Sequence, residues 1–439
     1  MFLKEKFTYF NFFFPLSKVK KKNIYSYFFL YLLVIIIASI IYGYYLNLNN
    51  KIYDENYNII FKNISFSNGE LIHNLFYNNQ YYTENSNIIF FLQKTPAIPY
   101  LIFFLSLLSK NFFFIITVKN IIIFSLYFWL TYKIIATTQK SFLFFFLISI
   151  TPIIIPYNFG VSLNVVYEDC LIAILLPILF LLVITNYKHK YLLIGLILFF
   201  LYFVKTSLVF LLIILPILII FLERSSVGKL MPAIAVSLAI LIWGFYGLYK
   251  SGRFPFLSSS SSFNSYVMSY ALNSNFNKYY PNKSTDLIPI TYKLPSNINT
   301  EWEFYDFYKK KNNEYLEINM NRYLKDFFIK LKFIFFGINR DGSLPDNNGK
   351  FNNDIRISQI LSKILLNLSI LLALFNIINN KKNFITQKKE IYFLFIIILN
   401  LFPHLLVWAT SKHLIGAINI AIIYLINFLF ENKKNYKFK

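Results

Sequence analysis

The sequence predicts an all-α, polytopic membrane protein of about ten transmembrane helices, with two large outer loops that carry interfacial helices. Three observations predict it. Of the 439 residues, 57% are hydrophobic and 21% aromatic, while only 14% are charged, a balance unlike that of soluble globular domains. Apolar runs close to the ~20 residues that cross a ~30 Å hydrocarbon core in helix recur along the chain. The net charge of +23 is also unevenly placed. When the runs are threaded with the N-terminus inside, six inward segments hold 20 Lys/Arg against 4 Asp/Glu. Short lysine-rich loops inside and acid-containing loops outside follow the positive-inside rule. The charge therefore reads as a topology signal whose partner is anionic lipid headgroups rather than nucleic acid.

In chain order the spans fall at Tyr27–Leu46, Phe112–Tyr132, Ser141–Tyr157, Leu171–Thr185, Tyr191–Val204, Ser207–Leu222, Leu230–Tyr249, Ile357–Ile378, Ile391–Trp408 and Leu414–Phe430. The first is preceded by lysines and followed by no cleavage site, so it is expected to be a retained anchor. Outer loop one covers 47–111. Its apolar stretch Ala97–Leu108 is too short to span, and counting it would turn the basic Lys133–Lys140 loop outward, against the charge rule. It is therefore expected to lie on the membrane surface. Outer loop two covers 250–356, with a serine run at Ser258–Ser262, aromatic residues around Trp302–Tyr308 and an amphipathic stretch at Tyr323–Phe336. The chain thus divides into an N-terminal transmembrane core (1–249), loop two (250–356) and C-terminal helices (357–439). Both termini are expected on the cytoplasmic side of the plasma (inner) membrane. The single Cys170 excludes a disulfide framework and a cysteine-built metal site.

Charges at a membrane edge are costly, so each is a candidate for function. Loop one holds Ser67-Asn68-Gly69-Glu70-Leu71-Ile72-His73-Asn74-Leu75, then Lys94-Thr95-Pro96-Ala97-Ile98-Pro99 at the start of the short apolar stretch. Asp54 and Glu55 come close after the first span. Glu168 and Asp169 stand before the fourth span, Lys205 separates two apolar runs with almost no linker, and Ser411-Lys412-His413-Leu414 precedes the last span. A carboxylate here could accept a hydroxyl proton. A lysine beside the membrane plane is a natural phosphate ligand.

In order and spacing these segments resemble the multi-spanning GT-C glycosyltransferases, most closely the dolichyl-phosphate-mannose and lipid A aminoarabinose transferase type. The likeness covers roughly residues 60–215 and, faintly, the last span. Asn68-Gly69-Glu70 through Asn74-Leu75 is similar to that group's D-G-x-x-Y-x-x-A-x-N-L helix start, with Asn68 where the family has aspartate. Lys94-Thr95-Pro96-x-x-Pro99 is similar to its R/K-T/P-P-x-x-P turn. Gly195 through Phe210 resembles G-x-x-x-G-x-x-x-x-T-K/R-P, with serine for the proline and phenylalanine for the second glycine. Ser411-Lys412-His413 resembles a C-terminal R-Y/H-x-x-P segment that here lacks the downstream prolines.

The resemblance implies an inverting transfer of a sugar from a polyprenyl-phosphate donor to a glycan, lipid or protein acceptor on the outer face. Glu70 would be the general base, with Asp54 and Glu55 competing for that role. Glu168, and after it Asp169, would stand at the family's second acidic position, which orients the acceptor, binds a divalent metal or holds a catalytic partner. Lys94, Lys205 and Lys412 would meet the donor phosphate, with His73, Lys119 and Arg253 as further binding candidates. Two other classes compete. A transporter or lipid flippase would place charges near the bilayer midplane and often shows internal repeats, neither of which is seen. An O-antigen polymerase or ligase typically uses arginines in its large loop, which here holds only Arg253, Arg322, Arg340 and Arg356. No phosphate-binding glycine loop, HExxH or nucleophile elbow is present, and the four histidines lack zinc spacing.

Overall fold

The computed structural model describes residues 21–50, 52–63, 67–85, 88–136, 141–164, 168–223, 227–263, 297–336, 353–379, 387–406 and 411–435. Lys18 and Lys20, Lys381 and Lys382, the tail from 436, and the loop-two stretches 264–296 and 337–352 lie outside them. The chain is mostly helical. Helices run α1 (Lys21–Asn50), α2 (Ser67–Asn78), α3 (Ala97–Leu108), α4 (Phe112–Ala136), α5 (Phe142–Ser149), α6 (Thr151–Ile154), α7 (Pro156–Leu163) and α8 (Asp169–Ile184). They continue as α9 (Lys190–Val204), α10 (Val209–Leu222), α11 (Met231–Ser251), α12 (Glu301–Phe336), α13 (Asn353–Asn379), α14 (Lys388–Leu406) and α15 (Ile415–Asn435). Between α2 and α3 a small antiparallel hairpin pairs β1 (Thr83–Asn85) with β2 (Ile88–Phe90), Thr83 facing Phe90.

Among the described residues, five helical segments are long and apolar enough to cross a membrane: Ile24–Tyr44, Phe112–Ala136, Val227–Ser251, Ile357–Asn379 and Lys388–Leu406. Five shorter apolar helices accompany them: Ala97–Leu108, Asp169–Ile184, Lys190–Val204, Thr206–Leu222 and Ile415–Phe430. Large apolar side chains stand exposed along α1, α11 and α13, among them Phe29, Leu30, Ile234, Phe245, Leu371 and Phe375. Apolar bands on successive turns suit hydrocarbon, and water would drive them into contact with something else.

Two sequence expectations need correction. The third span, expected as one helix over Ser141–Tyr157, is three short pieces, α5, α6 and α7. Pro152 and Pro156 cause the breaks, because proline lacks the N–H that continues a helix and pushes the preceding residue toward extended backbone. Ile155, before Pro156, has φ −107° and ψ 121° accordingly. The aromatic and amphipathic stretches of loop two are not separate features either. They are two parts of α12, a 36-residue helix about 54 Å long at ~1.5 Å per residue. Its start is a capping box: Thr300 Oγ1 accepts from Glu303 N–H at 3.2 Å, and Glu303 Oε2 accepts from Thr300 N–H at 3.1 Å and Asn299 N–H at 2.7 Å. By contrast, the short helix expected at Ala97–Leu108 forms with those bounds.

The helices pack around one continuous apolar core, with α8 wrapped by α4, α7, α9, α14 and α15. Gly416 lets α15 approach α8 closely, since a Cβ there would lie 2.6 Å from Leu176 Cδ1 and 2.9 Å from Ile172 Cγ2. Buried amides tie the same helices: Asn158 donates to Asn419 Oδ1 at 3.1 Å, and Asn419 donates to Ala173 O at 2.9 Å. At one end of the bundle Glu223, just past α10, receives Lys190 at 3.1 Å, Lys388, Tyr191 OH at 3.2 Å and Tyr392 OH at 3.3 Å. Burial alone would raise the Glu223 carboxyl; the hydrogen bonds from Lys388 and Lys190 outweigh it and hold the group below its ordinary value. Helices α9 and α14 start at this end and run to the other, where Lys205, His404 and His413 lie.

Candidate functional site

The second polar cluster forms where α8 begins. Asp169, on the first turn of α8, is 1% exposed. Its Oδ1 accepts from Lys205 Nζ at 2.9 Å, and both its oxygens face His413 Nδ1, at 3.1 and 3.2 Å. Lys205 Nζ also lies 2.8 Å from His413 Nδ1. That nitrogen can serve one neighbour at a time: protonated, it donates to Asp169; unprotonated, it accepts from Lys205. The His404 ring stacks on the His413 ring, centroids 4.7 Å apart and planes 12° apart. Local backbone explains the placement. Lys205 caps α9 in an extended conformation, φ −158° and ψ 110°, before the turn Thr206–Leu208. Its ammonium therefore leaves the chain where two apolar helices part. An acid on the first turn of α8 is favoured by the helix dipole.

Glu168 immediately precedes α8 and is 9% exposed. Its Oε1 accepts from Asn68 Nδ2 at 3.2 Å, across a hundred residues of sequence. Asn68 itself is 3% exposed, in the first turn of α2. Tyr81 lies close by: burial pushes its phenol well above the ordinary value, and Tyr246, Tyr100 and then Glu168 add to the shift. The Tyr81 hydroxyl donates to Lys94 O at 2.8 Å, and its ring stacks on Tyr100 at 5.6 Å. Thr95 Oγ1 donates to Val204 O at 2.7 Å, the residue before Lys205. The Lys94-Thr95-Pro96 turn is thus fastened to the end of α9. Pro96 caps α3. The Lys94 ammonium has no protein acceptor among the described residues.

Of the residues singled out from sequence, the structure brings together Glu168, Asp169, Lys205 and the turn bearing Lys94. The others take different places. Glu70 Oε1 accepts the Glu84 backbone N–H at 2.7 Å, so its carboxylate holds β1; the group that meets Glu168 is Asn68. Asp54 is exposed and closes its own turn, accepting from Asn56 N–H at 2.9 Å and Asn58 N–H at 2.8 Å, and Glu55 beside it is exposed. His73 rests against Tyr77, ring centroids 4.7 Å apart. Lys119, inside α4 and fully buried, donates to Leu163 O at 3.2 Å and Asn164 O at 2.6 Å, holding the carbonyl end of α7. Arg253, just past α11, pairs with Asp306 at 2.8 Å and lies over Trp302 at 4.9 Å, joining the end of α11 to α12. Lys412 belongs to the turn Ser411–Leu414, with its side chain outside the described residues. No group of three or more His, Cys, Asp or Glu among the described residues could hold a metal ion.

Sequence reasoning missed three participants. His404 sits in an apolar run and reads as packing. Asn68 reads as a lost aspartate. Glu301 stands in a polar loop without pattern; it is 2% exposed, and burial holds its carboxyl above the ordinary value.

No protein family, curated protein or solved structure matches this chain.

Proposed function

We propose that this protein is an integral-membrane glycosyltransferase resembling the GT-C superfamily, which moves a sugar from a polyprenyl-phosphate donor to an acceptor and inverts the anomeric centre. About ten helices would span the plasma membrane. Both termini would be cytoplasmic, and the Asp169 end of the bundle, with loops one and two, would face outward. The observation that carries this reading is convergence: Asn68 on Glu168, Lys205 on Asp169, and Thr95 on the residue before Lys205. The segments that resemble the family meet at one end of the bundle, where a lipid headgroup could reach them.

Roles follow from the surroundings. Lys94, with no described acceptor, is the donor-phosphate contact, and Lys205 stabilises charge growing on the departing phosphate. Glu168 is the general base. Its partner Asn68 stands where the family has aspartate, so the carboxylate of that spot comes instead from the residue that opens α8. Asp169 and His413 hold Lys205 in place.

The test is sugar transfer from a synthetic polyprenyl-phosphate donor by purified protein. Glu168→Gln keeps the shape and removes the proton acceptor, so turnover should fall ~10²–10⁴-fold while donor binding stays nearly constant. Lys94→Ala should weaken donor binding first, by ~1.5–3 kcal/mol, the worth of a charge-assisted contact. Glu70→Gln should act mainly on stability. Full activity in Glu168→Gln would move the base elsewhere. No sugar transfer from any donor would instead favour a transporter or lipid flippase.

A further inference from the structure

Lys94 is presented by a short backbone strap, residues 91–95, and the underside of that strap belongs to loop two. Leu92 N–H donates to Glu301 Oε2 at 3.2 Å, and Leu92 O accepts from Ser259 N–H at 3.0 Å. Gln93 O accepts from Ser260 Oγ at 2.9 Å, while its side-chain Oε1 accepts from Thr83 Oγ1 at 2.6 Å. With the Tyr81 and Thr95 bonds, each residue from Leu92 to Thr95 is held by a partner distant in sequence. The apolar contacts agree. Ile88 and Phe90 of the hairpin form a small cluster of their own with Phe304 and Tyr308 of α12, the Phe90 and Phe304 rings meeting edge to face at 5.1 Å. Gly247 leaves room for the arrangement, since a Cβ there would lie 2.3 Å from Pro255 Cδ and 3.1 Å from Leu92 Cδ1.

Glu301 is an odd choice for a helix start if anchoring were its whole role. The first turn of a helix tolerates acids facing water, and taking a carboxylate out of water is expensive unless hydrogen bonds replace the lost hydration. This side chain turns inward all the same, its Oε2 accepting from Leu92 N–H and its carboxyl also steadied by the Phe91 amide, Ser259 and Ser251. We infer that Glu301, aided by the serine run, is a positioning residue that fixes where the Lys94 ammonium meets the donor phosphate. Loop two thus acts on the site through the backbone of residues 91–94. This rests on the reading of Lys94 as the donor-phosphate contact.

Full-length protein in lipid nanodiscs supplies the test, with a sugar-free polyprenyl monophosphate as binding probe and amide exchange as local readout. Glu301→Ala should speed exchange at residues 92–95 and weaken probe binding about tenfold, leaving kcat at saturating donor within about twofold. Glu301→Gln keeps an oxygen for Leu92 N–H and should restore both. Ser260→Ala removes the Gln93 bond, together with the 3.3 Å contact to Ser258 Oγ, and should move both readouts the same way by less; it serves if Glu301→Ala does not fold. Faster exchange with unchanged probe binding would overturn the positioning role and leave the transferase reading intact. A wild-type protein that binds no polyprenyl monophosphate would overturn both.

Discussion

At the scale of single residues, the informative contact is Asn68 with Glu168. A carboxamide donating to a carboxylate at 3.2 Å is a neutral–charged pair that can be buried at moderate cost. Replacing Asn68 with aspartate would set two carboxylates face to face. Like charges at that distance cannot both ionise easily, so one carboxyl must rise. Asn68→Asp should therefore move the acidic limb of the kcat/KM profile upward by about one pH unit or more. A profile unchanged from the wild type would place Glu168 away from the chemistry. The residues that sequence alone revealed were those whose surroundings contrast with them. Lys205 is a charge between two apolar runs, and Asp169 an acid opening one. Glu70 looked equally prominent, yet it serves the hairpin, because nothing in the text of loop one announces that β1 will need an acceptor. Glu301 and His404 depend on long-range placement, and no local pattern encodes that.

At the scale of elements, hydropathy revealed the long apolar helices α1, α4, α11, α13 and α14, since their length does the telling. It failed where proline, invisible to an average, divides α5, α6 and α7. It failed again at α12, whose mixed aromatic and charged face hides a single long helix. The Glu223 hub is an element-level device that clamps α9, α10 and α14 at the end opposite the site. Its folded carboxyl lies below the ordinary value, so it contributes stability above the unfolded pKa of ~4.3 and loses it as pH falls through the folded value. Glu223→Gln should lower stability at pH 7 by ~2–3 kcal/mol, less than the ~3–5 of a fully buried pair, because Lys388 is 28% exposed. Thermal unfolding in detergent should show the gap between variant and wild type narrowing below about pH 4. A gap constant with pH would mean that the charge of Glu223 contributes nothing to the clamp.

At the scale of the whole molecule, the two polar clusters define the ends of one bundle, and the proposed topology, drawn from the charge asymmetry of the sequence, puts one of them at the cytoplasm. The Glu223 end carries Lys188, Lys190, Lys388 and Lys389 against the acids Glu223 and Glu390, an excess of basic charge. The Asp169 end carries the hairpin and the start of α12, where acids and lysines mix. Lipid charge and the mechanism of insertion both favour the lysine-rich end inside. The single Cys170 is buried and can be replaced by serine to give a background without thiols. Single cysteines are then placed at Asn79, exposed just past α2, and at Lys188, exposed just before α9. A membrane-impermeant maleimide added to intact cells should label Asn79→Cys and spare Lys188→Cys, and after permeabilisation both should react. Labelling of both from outside would mean that the bundle does not separate two compartments. Labelling of Lys188→Cys alone would invert the orientation and put the candidate site on the cytoplasmic face. An outer-face transfer from a lipid donor could not then be sustained, whatever the chemistry of Glu168.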